Sequence, residues 1–357
     1  TLSMSVAIGV AAVLSFSPEV PHTSPAGGGA FPTVTAHGMG DSCFNSGMKE
    51  ITALIGTTLG TYSVCVPTGN RLTDTTNGFL MTMNDNVDVF AANILKDAQL
   101  KDGFNCVGFS QGVSLCRGYV QKYNGVGGYP AVQNFLSVHG TCSGVAGFPN
   151  CDPDGLLGPV CKPLAHLVGD IAYSAETQNI LFQIDYFRDP KRVGTDAYKQ
   201  NSQLADWNNE GVGSNATYKA NFVKVKRFIM IKALKDTMVY PNEGEWWGHF
   251  ADGSLTTVLP MKETKWYKDD LCAPTPRTDP TRLARRRLAA PPTLIAAPRP
   301  QLWPEDGGRG GEATLQHYRG QPPSVQQGAT GLVGQAPICL RRAPLCPVWC
   351  YGQGHLL

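Results

Sequence analysis

Gly108-Phe109-Ser110-Gln111-Gly112 has the Gly-x-Ser-x-Gly spacing of an activated serine nucleophile. The apolar run "FNCVGF" ahead of it reads as a strand, and Val113, Cys116 and Val120 after it share one face of a helix. A tight strand-to-helix turn requires small residues on both sides of the serine and lifts its hydroxyl above the sheet edge, which makes Ser110 the candidate nucleophile. Acyl transfer also needs N–H donors for the developing oxyanion and an acid that orients a histidine base. Gln111 follows the serine and supplies the first N–H. In His37-Gly38-Met39-Gly40-Asp41 the glycines let the backbone approach a substrate, so Met39 N–H is the expected second donor, while the His37 ring is expected to pack or cap the loop. Asp236 follows the apolar run "RFIMIKAL" and precedes Pro241, the place for the acid in a chain ordered Ser…Asp…His.

These residues need a sheet to hold them. Between residues 31 and 272 short apolar runs alternate with helical patterns, the signature of an α/β fold with a largely parallel sheet. "FPTVTAHGMGDS", "TYSVCVP", "FNCVGF", "VQNFLSVHG" and "RFIMIKAL" are the predicted strands. Val87, Phe90, Ala91, Ile94 and Leu95 recur at helical spacing in an amphipathic helix opened by Asp or Asn. Residues 162–211 are less periodic and read as a cap-like insertion over the site.

A net charge of +2 argues against binding nucleic acid by broad phosphate attraction. Residues 1–272 carry 20 Lys and Arg against 24 acids, whereas residues 273–357 carry 10 Arg, no Lys and 4 acids. That tail also holds 13 of the 26 prolines and no sustained periodicity, so it is expected to be irregular or foreign to the domain. Residues 1–30 contain an apolar run, residues 6–16, too short to span a bilayer, which reads as the hydrophobic part of a secretory signal. Eleven cysteines suit an exported protein; Cys151 and Cys161 flank a turn-rich loop suited to a disulfide, and Asn215 heads the sequon Asn215-Ala216-Thr217. A lysosomal or vacuolar lumen, or the extracellular space, is the expected compartment.

"HGMGDSC", "GFSQG", "FPNC…C" and "RFIMIKALKDTMVYPNEGEWWGHF" together resemble the palmitoyl-protein thioesterase family of α/β-hydrolases over about residues 31–271. The resemblance implies hydrolysis of long fatty acyl groups from cysteine thioesters of S-acylated proteins, with no metal or cofactor. By motif match it places Ser110 as nucleophile, Asp236 as triad acid, Met39 and Gln111 as oxyanion donors, and Cys151–Cys161 as a loop disulfide. The adjacent cysteine pair of the family's first motif is absent, since Phe44 follows Cys43.

No histidine stands where the resemblance expects one, after Asp236 in "LARRRLAAPPTLIAAP". His249 lies close to Asp236 in sequence and is expected to pack; His139 ends a strand near the site but precedes the acid; His166 falls in the insertion; His317 and His355 lie in the tail. The triad histidine is therefore not identifiable from sequence, and the chain as written is expected to show no more than trace activity. The competing readings are a lipase or acyl-CoA thioesterase, and an inactive acyl-binding protein.

Overall fold

A computed structural model describes residues 30–148, 169–213, 215–269 and 349–350. Strands β1 (Thr33–Ala36), β2 (Ser63–Cys65), β3 (Phe104–Phe109), β4 (Val132–Val138) and β5 (Arg227–Ile231) form a parallel sheet in the order β2-β1-β3-β4-β5. All five coincide with predicted runs. Along β3 the side chains alternate: Phe104 and Cys106 join the larger core, Val107 and Phe109 the smaller one on the other face. Burial on both faces explains why the run is apolar at every position but the buried Asn105, rather than alternating with polar residues.

Helices α1 (Ser46–Leu59), α2 (Asp74–Leu80), α3 (Met83–Lys96) and α4 (Gly112–Tyr123) surround the sheet. Helix α1 covers the smaller core with Met48, Ile51 and Ile55, and α3 and α4 cover the larger one with Val87, Phe90, Ile94, Cys116 and Tyr119. The start of α3 differs from expectation: the cap is Thr82, whose hydroxyl accepts from Asp85 N at 3.1 Å. A threonine hydroxyl satisfies a free helical N–H as an aspartate would, so either type reads as a start signal.

The described part of the insertion holds two 3-10 turns, Gly169–Tyr173 and Thr177–Asn179, and three short α-helices, α5 (Phe182–Asp185), α6 (Asp196–Asn201) and α7 (Gln203–Trp207). Met83 N donates to Asp185 at 2.6 Å and Trp207 Nε1 to Asn84 at 3.0 Å, which fastens the insertion to the start of α3. Helix α8 (Ala216–Phe222) then leads to β5, its first N–H groups capped by Asn215 Oδ1. A two-stranded antiparallel pair, β6 (His249–Phe250) and β7 (Val258–Leu259), precedes the short helix α9 (Lys265–Lys268). Among the described residues the tail adds a strand that its composition did not announce: β8 (Trp349–Cys350) lies parallel beside β5.

Among the described residues two disulfides tie the domain, Cys43–Cys65 and Cys106–Cys116. Cys43 thus pairs with the end of β2, 22 residues away in sequence, where no adjacent partner exists. Cys142 is free and buried, and burial pushes its thiol up to about 12. Cys151 and Cys161 lie outside the described residues.

Peptide mapping without reduction is expected to recover the 43–65 and 106–116 links. Replacing both Cys43 and Cys65 by serine is expected to lower the unfolding free energy by about 2–4 kcal/mol in chemical denaturation, the usual worth of closing a loop of this size.

Candidate active site

Chain order and strand order disagree at one point, because β2 and β3 lie on opposite sides of β1. Such a reversal opens a crevice beyond the carboxyl ends of the two central strands, the place where ligands bind in open α/β sheets. The loop after β1 carries Gly38 and Met39, and the turn after β3 carries Ser110.

Ser110 adopts the left-handed conformation, φ 50°. Its N–H donates to Val138 O at 2.9 Å and its carbonyl accepts from Val113 N at 3.0 Å, so one residue ends the ladder to β4 and starts α4. Both flanking glycines are required by contact. A Cβ on Gly108 would lie 2.5 Å from Val113 Cα, and one on Gly112 would lie 2.3 Å from Ala36 O. Gly38 packs against the serine itself: a Cβ there would be 3.3 Å from Ser110 Cβ and 3.3 Å from Phe109 O. Met39 therefore follows a residue in direct contact with the elbow, and Gln111 N–H opens the helix on its other side. Two backbone donors beside one serine is the arrangement an oxyanion requires.

Two buried networks fix these donors. Gln111 donates from Nε2 to Gly78 O at 2.7 Å, and its Oε1 accepts from Gln183 Nε2 at 2.6 Å and Tyr186 hydroxyl at 3.1 Å. The insertion thereby holds the residue after Ser110. On the other side His37 Nδ1 lies 2.9 Å from Gly38 O and Nε2 lies 3.3 Å from Asp74 Oδ2, a contact too poorly aligned to be a strong hydrogen bond and mainly electrostatic. Burial opposes the His37 charge, but Asp74 and the Gly38 carbonyl outweigh it and raise the imidazole above its ordinary value. Burial likewise opposes the Asp74 charge, yet His37 and the N–H and hydroxyl donors around it hold the carboxyl below its ordinary value. Asp74 accepts from Ser42 Oγ, Cys43 N, Thr68 N and Gly69 N at 2.8–3.1 Å, binding the loops after β1 and β2 together. His37, Cys43 and Asp74 stand close enough to resemble a metal cluster, but the Cys43 sulfur is in a disulfide and Asp74 already has four donors. The expectation that His37 serves the loop fits this geometry.

Asp236 lies in the loop after β5, its Oδ1 accepting from Met238 N at 2.5 Å and Val239 N at 3.1 Å. Behind it, fully buried, is Glu245, which sequence inspection passed over. Glu245 Oε2 accepts from Ala233 N at 2.7 Å and Oε1 from Asn242 Nδ2 at 2.8 Å. Burial raises its carboxyl to about 9, assisted by the charge of Asp236 and a hydrogen bond with it. At neutral pH Glu245 is thus a neutral acid donating to the Asp236 carboxylate. Beside Asp236 an open groove of about 490 Å³ is lined by the apolar Val239, Pro241, Phe250 and Leu255 and by the polar Thr237, Asn242 and Thr256.

His249 is buried against the Trp266 ring at 4.4 Å with Nδ1 3.1 Å from Arg188, and burial, then the Arg188 charge, lowers it to about 4. That is the packing role its position suggested. His139 is the residue after β4, and its N–H donates to Ile231 O at 2.8 Å. His166, His317 and His355 lie outside the described residues.

The raised Glu245 value has a consequence for stability. The unfolded chain loses this proton near 4.5 while the fold retains it to about 9, so the contribution is whole at low pH and is lost as pH rises across that window. Asp185, raised by burial to about 8, contributes with the same sign. Glu245→Gln keeps a donor without the titration and is expected to flatten part of the decline. Thermal unfolding of both proteins from about pH 5 to about pH 8.5 checks this; parallel curves would exclude it.

A family model described as palmitoyl protein thioesterase matches residues 32–272, from the residue before β1 to just beyond α9. The chain is similar to palmitoyl-protein thioesterase 1 of Caenorhabditis elegans, with 36% identity over 243 residues, 67% of this chain and 78% of that protein. It is similar to palmitoyl-protein thioesterase 3 of Dictyostelium discoideum, with 34% identity over 210 residues, 58% of this chain and 67% of that protein. It is also similar to a palmitoyl-protein thioesterase-dolichyl pyrophosphate phosphatase fusion of Schizosaccharomyces pombe, with 27% identity over 217 residues, 59% of this chain and 33% of that protein. Since the matched span takes in the whole sheet up to β5 together with the serine turn and the acid loop, the chain belongs to the palmitoyl protein thioesterase family.

Proposed function

We propose that this chain hydrolyses the thioester between a long fatty acyl group and a cysteine of S-acylated proteins, with Ser110 as nucleophile. The observation that carries the reading is the contact of the Gly38 loop with Ser110 at the crevice between β1 and β3, in a member of this family. Ser110 Oγ attacks the thioester carbonyl as its proton passes to a histidine, and the oxyanion is met by Met39 N–H and Gln111 N–H. Asp236 is the acid that stabilises the charged base, and Glu245 steadies Asp236 in turn. A lipase or acyl-CoA thioesterase shares this chemistry, and an inactive acyl-binding protein would share the groove; the names of the relatives favour the protein thioesterase.

The apolar run at residues 6–16, the sequon at Asn215 and the two disulfides support residence in the secretory pathway, with a lysosomal or vacuolar lumen or the cell exterior as destination. No described helix is long and apolar enough to cross a membrane.

Ser110→Ala is expected to abolish fluorophosphonate labelling while leaving the thermal transition nearly unchanged, and continued labelling would remove Ser110 from its role. Among S-palmitoyl peptide, palmitoyl-CoA and a palmitoyl oxygen ester, the peptide is expected to give the highest kcat/KM. In eukaryotic cells the protein is expected to carry glycan at Asn215; a gel band unshifted by glycosidase would count against export.

A further inference from the structure

The seven residues of α2 connect the supports of the two backbone donors assigned to the oxyanion. In its first turn Asp74 accepts from Cys43 N at 2.9 Å and faces His37, so this end holds the loop that carries Met39. In its last turn the Gly78 carbonyl is one of those that a helix end leaves without an internal partner. It accepts from Gln111 Nε2 at 2.7 Å and from Gln183 Nε2 at 2.9 Å. A Cβ built on Gly78 would lie 3.5 Å from Gln111 Nε2 and 4.0 Å from His37 Cε1, so this one residue lies against both side chains.

Gln183, in α5 of the insertion, is fully buried and closes the arrangement: its Nε2 donates to Gly78 O and also to Gln111 Oε1 at 2.6 Å. The two amides fix each other's orientation. A carbonyl only accepts, so Gly78 O requires the nitrogen of each amide, which turns the Gln111 oxygen toward Gln183 Nε2 and the Tyr186 hydroxyl. The buried Oε1 of Gln183 meanwhile finds no hydrogen-bond partner among the described residues. An unpaired buried acceptor is unfavourable, and the amide keeps this orientation because both of its donors serve the residue after Ser110 and the helix behind it.

We propose that Gln183 is a positioning residue of the reaction, holding the Gln111 backbone N–H where the oxyanion forms and joining it, through Gly78 and α2, to the loop that carries the other donor. The proposal rests on the reading of Ser110 as nucleophile with Met39 and Gln111 as oxyanion donors. Such a donor is effective only if it is in place before the charge develops, because turning it during the reaction costs what the hydrogen bond gains. The peptide that carries this N–H joins Ser110, at φ 50°, to Gln111, at φ −54°. A Gln111 side chain anchored on Gly78, Gln183 and Tyr186 resists rotation of that peptide beside a left-handed residue. A separate contact docks the same helix of the insertion: Asp185 accepts from Met83 N at 2.6 Å. That contact reaches α3 rather than Gln111, so it distinguishes docking of the insertion from positioning of the donor.

Gln183→Met keeps the length of the side chain without its N–H groups, and Asp185→Ala loosens α5 without altering the amides; both are expected to lower Tm. In the full chain Gln183→Met is expected to lower kcat for S-palmitoyl peptide about tenfold to a hundredfold with KM within about twofold, the scale of displacing an oxyanion donor. Affinity for a long-chain alkyl trifluoromethyl ketone, whose adduct with Ser110 carries the oxyanion, is expected to weaken by the same factor. Affinity for an S-hexadecyl thioether peptide, which has no carbonyl, is expected to stay unchanged. Tyr186→Phe, which leaves Gln111 Oε1 with one donor instead of two, is expected to show a smaller loss of the same kind. Asp185→Ala, measured where it is folded, is expected to keep the parent kcat and ketone affinity. A Gln183→Met loss confined to KM, an equal weakening of ketone and thioether, or an equal loss of kcat in Asp185→Ala would reduce Gln183 to packing and overturn the proposal. Fluorophosphonate labelling of Ser110 that slows in Gln183→Met but not in Asp185→Ala, in a parent chain without palmitoyl turnover, would uphold the positioning role and overturn the thioesterase reading. A parent chain whose Ser110 neither labels nor binds the ketone would overturn both.

Discussion

Everything near Ser110 depends on one approach of backbone to backbone. The start of α4 presses against the end of β1 so closely that the Gly112 α-carbon has room for hydrogen only on its Ala36 and His37 side. That contact sets the height of the helix above the sheet, and the helix in turn sets where the serine hydroxyl emerges. Gly108, in β3, lets that strand approach Val113 at the start of α4 as closely, and Gly38 lets the loop after β1 close on Ser110. Three absent side chains therefore determine the shape of the site before any functional group is considered.

Around this close-packed centre the fold places carboxyl groups in opposite states. Asp74 is buried with four hydrogen-bond donors and a histidine, and so keeps its charge; Glu245 is buried beside another carboxylate, and so keeps its proton. Each state follows from what surrounds the group. The charged one joins loops that carry backbone donors, and the neutral one lends a proton to Asp236. Arg188 plays a related part in the insertion, where Glu210 and Asp252 accept from it and Tyr198 closes the far side of Glu210.

The strands were legible because each is a run of β-branched and aromatic residues bounded by turn formers, and the serine turn was legible because glycines flank it at fixed spacing. Asp74 and Glu245 were not legible. Each acts through partners distant in sequence, such as Thr68 and Cys43 for the first and Ala233 for the second, and an isolated acid in a loop carries no local sign of burial. The disulfides escaped for the same reason: Cys106 and Cys116 read as apolar members of a strand and a helix face, which they also are.

The Cys106–Cys116 link encloses the Ser110 turn in a covalent ring. The strand that enters Ser110 and the helix that leaves it cannot separate by fraying, whatever happens at the border of the sheet. That border, where the two-residue β8 meets β5, is two strands away and is the natural place for opening to begin. Amide exchange should therefore begin at the β5–β8 border, with the turn that holds Ser110 among the last segments to exchange.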